Sequence, residues 1–308
     1  MTKTIATIDI GVACSPSQSP MWWPGIMNLL LDAQKSGIEI RSILAASSAV
    51  PDHNKNRLTS SDKDSDIQPY APSDTPDGAI APIGEKRRNS LTDANRSSAA
   101  KSFLTSTSDW MFWIDDDTVP PVGSILKLLQ LHRSIVGGVY FLGGPPHNAV
   151  AYYQLKDGTY AGLGDYPEGT LVPVDSIGMG CTLIHRSAYE DIMNAYTVLQ
   201  RPNGSLVPVK KENIFSLNGK EPPKESYVES GVLHMPLVER TSEDKRPWPF
   251  YALEYGRTED HHFCELARSV GHTPYLDTTI ICDHWKMLSI NNRTRVNYLK
   301  KERAAKSD

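Results

Sequence analysis

The feature that most constrains this chain lies at 109–121. Asp109 precedes an apolar run at 110–114, which ends abruptly in Asp115, Asp116 and Asp117; Pro120 and Pro121 then close the stretch. A short apolar run between turn signals reads as a buried strand. The carboxyl end of such a strand is where open α/β sheets place their ligands. Three neighbouring carboxylates repel one another, so a bound cation is the simplest compensation. Oxygen donors favour a hard divalent ion, Mg²⁺ or Mn²⁺.

The flanking segments supply the rest of an α/β sheet. A first strand is expected over 4–10. Pro24 is placed to open a helix in which Ile26, Leu29, Leu30 and Ala33 recur at helical spacing until Gly37, and a second strand follows at 38–44. That β-α-β order implies a parallel pair with a right-handed crossover. A helix at 93–104 leads into the acidic strand. Beyond it Ile125, Leu128, Leu129 and His132 share a helical face, and an apolar strand spans 135–140. Residues 172–184 read as two strands around a Gly-rich break at Gly178 and Gly180, followed by a helix at 185–196. Phe263, Leu266, Ala267 and Val270 define a helix with Thr258 as its N-cap and Gly271 past its end. A final strand at 278–282 runs into Asp283, His284 and Trp285. Two stretches, about 45–90 and 199–249, are polar with little periodicity, and both are expected to be flexible. The expected organisation is one domain over 1–285 and a basic tail over 286–308.

Composition excludes some classes. With 32 basic against 36 acidic residues the net charge is -4, which argues against a generally basic nucleic-acid coat. Cys14, Cys181, Cys264 and Cys282 are widely spaced, as small core residues of a reducing compartment are. No apolar stretch reaches membrane-span length, and the first residues lack a signal-peptide core, so a cytoplasmic protein without a membrane span is expected.

Four blocks, in order, resemble the nucleotide-sugar glycosyltransferases of the GT-A fold, close to the inverting family-2 type. They are Asn95-Arg96 before the acidic strand, Asp115 to Asp117 as an Asp-x-Asp motif, Gly178 and Gly180 ahead of Leu183 to Arg186, and Glu259-Asp260 with the distant His284. The family often has Arg before Asn, and this chain reverses the pair. The match covers most of 1–44, 93–196 and 250–285. The implied fold is a Rossmann-like, mostly parallel sheet flanked by helices, with the two polar stretches as insertions.

The resemblance implies transfer of a sugar from a nucleoside diphosphate sugar, of UDP-sugar type, to a hydroxyl, with Mn²⁺ or Mg²⁺ opposing the charge on the departing diphosphate. Asp117 and His284 would ligate the ion, and Asp115 would contact the ribose or a metal-bound water. Asp116, Arg96, Asn95, Asp9 and Ser15 would line the nucleotide site. Asp260 would be the base with Glu259 beside it, inverting the sugar. Gly178, Gly180 and Trp248 would lie on the acceptor side. Each piece has a plainer reading: Glu259 and Asp260 complement a helix dipole, Asn95 caps a helix, Arg96 makes a surface ion pair, His284 donates to a carbonyl, and Trp248 is a core aromatic. The acceptor stays open among a saccharide, a small molecule and a hydroxylated base in DNA. Retention on the same platform, a two-metal nucleotidyltransferase or nuclease, and a non-catalytic sugar-binding protein are the competing readings.

Overall fold

In a strand, alternate side chains leave on opposite faces, so the apolar alternation decides which layer each residue joins. The computed structural model describes residues 4–13, 22–46, 91–142, 147–201, 205–211, 227–229, 232–234, 238–239, 244–253 and 257–285. The chain begins β1 (Ala6–Ala13), α1 (Trp22–Lys35), β2 (Ile38–Ala46), α2 (Leu91–Thr105), β3 (Trp110–Asp115) and β4 (Thr118–Val119). It continues through α3 (Ser124–Gln130), β5 (Ile135–Val139), β6 (Ala149–Gln154), β7 (Tyr160–Leu163), β8 (Leu171–Pro173) and β9 (Ser176–Ile177). Then come β10 (Cys181–His185), α4 (Arg186–Ala195), β11 (Tyr196–Gln200), β12 (Leu206–Lys210), β13 (Tyr227–Glu229), β14 (Val232–His234) and β15 (Val238–Glu239). Last are α5 (Glu259–Ser269), β16 (Tyr275–Ile281) and β17 (Asp283–His284).

Seven strands form the central sheet in the order β2-β1-β3-β10-β5-β16-β8. Ile8, Ile10, Val12, Phe112 and Ile114 face one layer, where they meet Ile26, Leu29 and Ala33 of α1 and Ile125 and Leu128 of α3. Met111 and Trp113 face the other, against Phe103 of α2, Tyr189 of α4 and Phe263 of α5. Burying one such side chain stabilises the fold by about 1.5–3 kcal/mol. Trp113 is fully buried, and its indole N–H donates to the Tyr189 hydroxyl at 2.9 Å, so this large ring carries no unsatisfied donor.

The central sheet is mostly parallel, as expected, with one reversed strand at its centre and another at its edge. β10 runs antiparallel to both β3 and β5, and β8 runs antiparallel to β16, while the other five strands share one direction. The reversal places the start of β10 beside the end of β3, with Cys181 opposite Ile114. The turn before β10 therefore lies against Asp115, whose N–H donates to the Gly180 carbonyl at 3.4 Å.

Boundaries differ where local signals compete. His132 lies beyond α3, at φ 51°, because the chain turns there toward β5. Gly271 follows α5 at φ 93°, a left-handed value that favours glycine, and the Thr258 hydroxyl accepts from the His261 N–H at the other end. In and just before the polar stretch 199–249, β11 pairs with β12 and β15, and β13 pairs with β14. Pro208 sits on β12, an edge strand, where a missing N–H is tolerated. Residues 47–90 and the tail 286–308 lie outside the described residues. Cys181, Cys264 and Cys282 are buried free thiols; Cys14 falls outside the described residues. Among the described residues no helix is long and apolar enough to cross a membrane.

Candidate functional site

The acidic strand ends in a turn to β4, and β17 returns from the far end of the sequence to pair with β4, His284 opposite Thr118. The Trp285 N–H donates to the Asp117 carbonyl at 2.7 Å and fixes that register. His284 Nε2 thereby comes within 3.3 Å of Asp117 Oδ1. The other ring nitrogen, Nδ1, lies 2.5 Å from the Phe141 carbonyl, which only accepts, so Nδ1 carries the proton in that bond. A neutral imidazole then turns the Nε2 lone pair toward a carboxylate. A proton shared between them, or a cation, would relieve the contact between this lone pair and the carboxylate. Donation from Nδ1–H to a carbonyl is also the arrangement that prepares Nε2 as a metal ligand. An imidazole and a carboxylate are both groups that divalent metal ions take as ligands. Among the described residues no group of three His, Cys, Asp or Glu side chains sits at metal-binding spacing.

The second cluster is built on Arg96 of α2, whose side chain is 3% exposed. Its Nη2 donates to Asp115 Oδ1 at 2.7 Å, while Nε lies 3.7 Å from Glu259 Oε1 and 3.8 Å from Asp260 Oδ1. The guanidinium also lies over the Trp113 ring, 5.4 Å from its centroid. Burial alone would lower the Arg96 pKa, but the Asp115, Asp260 and Glu259 charges outweigh it and hold the pKa above the ordinary range. Asp260 responds the other way. Burial lifts its carboxyl to about 8; Arg96 pulls it down, and the Glu259 and Asp115 charges push it further up. The carboxylate also accepts a hydrogen bond from the Met179 N–H, which lowers it. A helix N-terminus that sequence reads as dipole complementation is here packed against a strand end and a glycine turn.

That turn explains its glycines. The Tyr140 hydroxyl accepts the Gly180 N–H at 3.1 Å. A Cβ on Gly178 would overlap this hydroxyl, and one on Gly180 would come within 2.8 Å of the ring carbon that bears it. The same ring meets His284 edge to face, centroids 5.3 Å apart. Tyr140 thus joins the glycine turn to the histidine pair. Its phenol pKa is raised well above ordinary by burial and then by the Asp115 and Asp260 charges. Tyr152 on β6, whose phenol is raised by burial and then by the Asp260 charge, meets the ring of His261, next to Asp260, edge to face with centroids 4.6 Å apart. Neither tyrosine stands out in the sequence. The only hint was a glycine pair spaced for a close neighbour that local sequence does not name.

Other residues are placed elsewhere. Asp9 lies in mid-strand, opposite Met111, four residues before the Ala13 that pairs with Asp115. Its carboxylate accepts from Ser108 at 2.8 Å and Ser106 at 2.6 Å, so it ties down the loop entering β3 and does not reach the cluster. Trp248 packs on Phe250, ring centroids 4.3 Å apart, at the edge of the core. Arg186, in the block after the glycine turn, donates to the carbonyls of Phe103, Leu104, Ser106 and Ser108 and closes the end of α2. Asn95 is half-buried beside Arg96, and Asp116 is buried between Asp115 and Asp117. Ser15 lies outside the described residues.

No family model matches the chain, and no curated protein matches it. Among solved structures the chain is similar to A197 from STIV, with 14% identity over 92% of this chain and 87% of that one, at a TM-score of 0.41. It is also similar to GalNAc-T7 solved with UDP, GalNAc and Mn²⁺, with 7% identity over 92% of this chain and 44% of that one, again at 0.41. The chain thus spans less than half of GalNAc-T7. At these TM-scores neither likeness bears on the chemistry of the site.

Proposed function

We propose that the protein is a metal-dependent glycosyltransferase that moves a sugar from a nucleoside diphosphate sugar to a hydroxyl acceptor with inversion. The observation that carries this reading is the meeting of three distant segments: Asp115 to Asp117 ending β3, Glu259-Asp260 opening α5, and His284 on β17. Asp117 and His284 would hold Mn²⁺ or Mg²⁺, whose charge would stabilise the departing diphosphate. The remaining ligands would be diphosphate and water oxygens, as is usual for hard ions.

The protein groups do the rest. Asp260, ionised, accepts the proton of the acceptor hydroxyl as that oxygen attacks the sugar carbon. Its raised pKa of about 8 makes it a stronger base than an ordinary carboxylate. Burial and the Met179 N–H hold the carboxylate in one orientation, so little reorganisation is needed at the moment of attack. Tyr152, against His261, offers an aromatic face and a hydroxyl to an incoming polyol. Among the described residues Asp115, Glu259 and Asp260 share the Arg96 guanidinium, three carboxylates around one cation, which favours a neutral hydroxyl compound over a polyanion such as DNA.

The test is a screen of nucleoside diphosphate sugars with Mn²⁺ or Mg²⁺, scoring free nucleoside diphosphate and transfer to saccharides, small polyols and DNA with hydroxylated bases. Metal-dependent release that is lost in Asp117→Ala and His284→Ala is expected. Release of pyrophosphate or cleavage of a strand would place the protein in another class. Full activity in both variants would remove the metal site.

A further inference from the structure

We propose that Arg96 is a positioning residue: a buried counter-ion shared by Asp115, Glu259 and Asp260, through which the state of the strand-end carboxylate governs proton binding at the helix carboxylate. The name given to each side, donor for Asp115 and acceptor for Asp260, rests on the glycosyltransferase reading; the coupling itself does not.

The geometry carries it. One guanidinium faces three carboxylates from two elements, and its contacts are unequal. It makes a short bond to Asp115 at 2.7 Å and looser approaches of 3.7 and 3.8 Å to Glu259 and Asp260. Arg96 Nε and Nη1 and Asp260 Oδ1 are buried and have no hydrogen-bond partner among the described residues. Nε and Asp260 Oδ1 thus face each other at 3.8 Å, just beyond bonding distance, a poised arrangement in a low-dielectric site. Solvent screens this cluster little, because the guanidinium is 3% exposed and the Asp260 side chain 16%. A change at Asp115 therefore reaches Asp260 through a single shared charge. The titratable groups facing Asp260 are Arg96 on α2, Asp115 on β3, Glu259 on its own helix, Tyr140 after β5, Tyr152 on β6, Tyr251, and Cys264 on α5. Arg96 is the only cation among them. Any group that draws Asp115 away leaves the guanidinium free to close on Asp260 and favour its ionised form. In the proposed reaction this makes the base competent once the donor is engaged.

The experiment is a carboxyl ¹³C NMR titration of Asp260 in the full chain, with its signal assigned by loss in Asp260→Asn. Removing the counter-ion in Arg96→Gln is expected to raise the Asp260 midpoint by about 1–3 pH units. Removing the competing carboxylate in Asp115→Asn is expected to lower it by about one unit. A merely structural lesion moves both variants the same way, so the opposite signs are the signature. Arg96→Lys, which keeps the charge and loses the fork, is expected to fall between the parent and Arg96→Gln. If Arg96→Gln does not fold, Asp115→Asn and Arg96→Lys decide the matter. A midpoint unmoved in Arg96→Gln, or raised in Asp115→Asn, overturns the proposal. Opposite shifts in a protein that releases no nucleoside diphosphate support the coupling and count against the transferase reading alone.

Discussion

Replacing Asp260 with Asn is expected to shift the balance of stability toward the variant as pH rises, until at pH 8 the variant is the more stable of the two. In the native state burial holds this carboxyl at about 8, against 3.8 when exposed. Between those values the unfolded chain has released the proton and the native protein still binds it. Stability contributed by the raised pKa is therefore complete below about 3.8 and is lost as pH climbs toward about 8. Each pH unit across that window is worth about 1.4 kcal/mol, so the whole span approaches ~6 kcal/mol. Asn keeps an oxygen for the Met179 N–H but turns an amide N–H₂ toward the Arg96 cation, a cost of a few kcal/mol that acts at every pH and leaves a net gain of about 1–3 kcal/mol at pH 8. Thermal and urea unfolding of parent and variant between pH 4.5 and 8 measures this. The variant should be the less stable of the two at the acid end, and the more stable by about 2–5 °C in Tm at pH 8, with the curves crossing between. A gap independent of pH, or a variant that weakens as pH rises, refutes the account of Asp260 as a carboxyl strained by burial. The same variant should lose transfer, so the gain in stability would mark a site whose fit to its task costs the fold something.

Three further outcomes follow from the same geometry. Transfer by the parent should rise with pH through about 8 and level off above it, since Asp260 acts as a base only when ionised; a kcat/KM profile flat from pH 6 to 9 would point to another base. Mn²⁺ at a hundred times its dissociation constant should stabilise the parent by about 2.7 kcal/mol, and this shift should vanish in His284→Ala, as read by thermal unfolding with and without the ion. Gly178→Ala should destabilise by about 1–3 kcal/mol through its clash with the Tyr140 hydroxyl and Val150, and Tyr140→Phe, which deletes the hydroxyl, should recover part of that loss in a double-mutant cycle.

What the sequence could disclose divides along physical lines. The run at 110–114 and the alternation of Ile8, Ile10 and Val12 depend on local periodicity alone, and strands appear there. The Thr258 cap and the glycine after α5 are local as well. Asp9 was misleading because position along a strand says nothing of how far that strand projects past its neighbour; register put it beside Ser106 and Ser108. Arg96 depended on the rotation of α2 about its own axis, which packing of Ala99, Ala100 and Phe103 against the sheet decides. Tyr140 had no signal beyond closing an apolar run, since its partners Gly180 and His284 lie 40 and 144 residues away.

The reversed strand in the middle of the sheet has a consequence for how the chain is made. β3 emerges early, but its neighbour on the β5 side is β10, whose residues are synthesised some 70 positions later. Until then β3 presents an unpaired edge of Met, Phe, Trp and Ile, the kind of edge that recruits strands from other chains. Pairings so distant in the chain form slowly because their loops must close first. A ribosome-bound fragment ending before residue 181 should therefore expose a sticky half-sheet that invites chaperones, and those β3 amides that bond to β10 should gain protection only once β10 has left the exit tunnel, later than those bonded to β1.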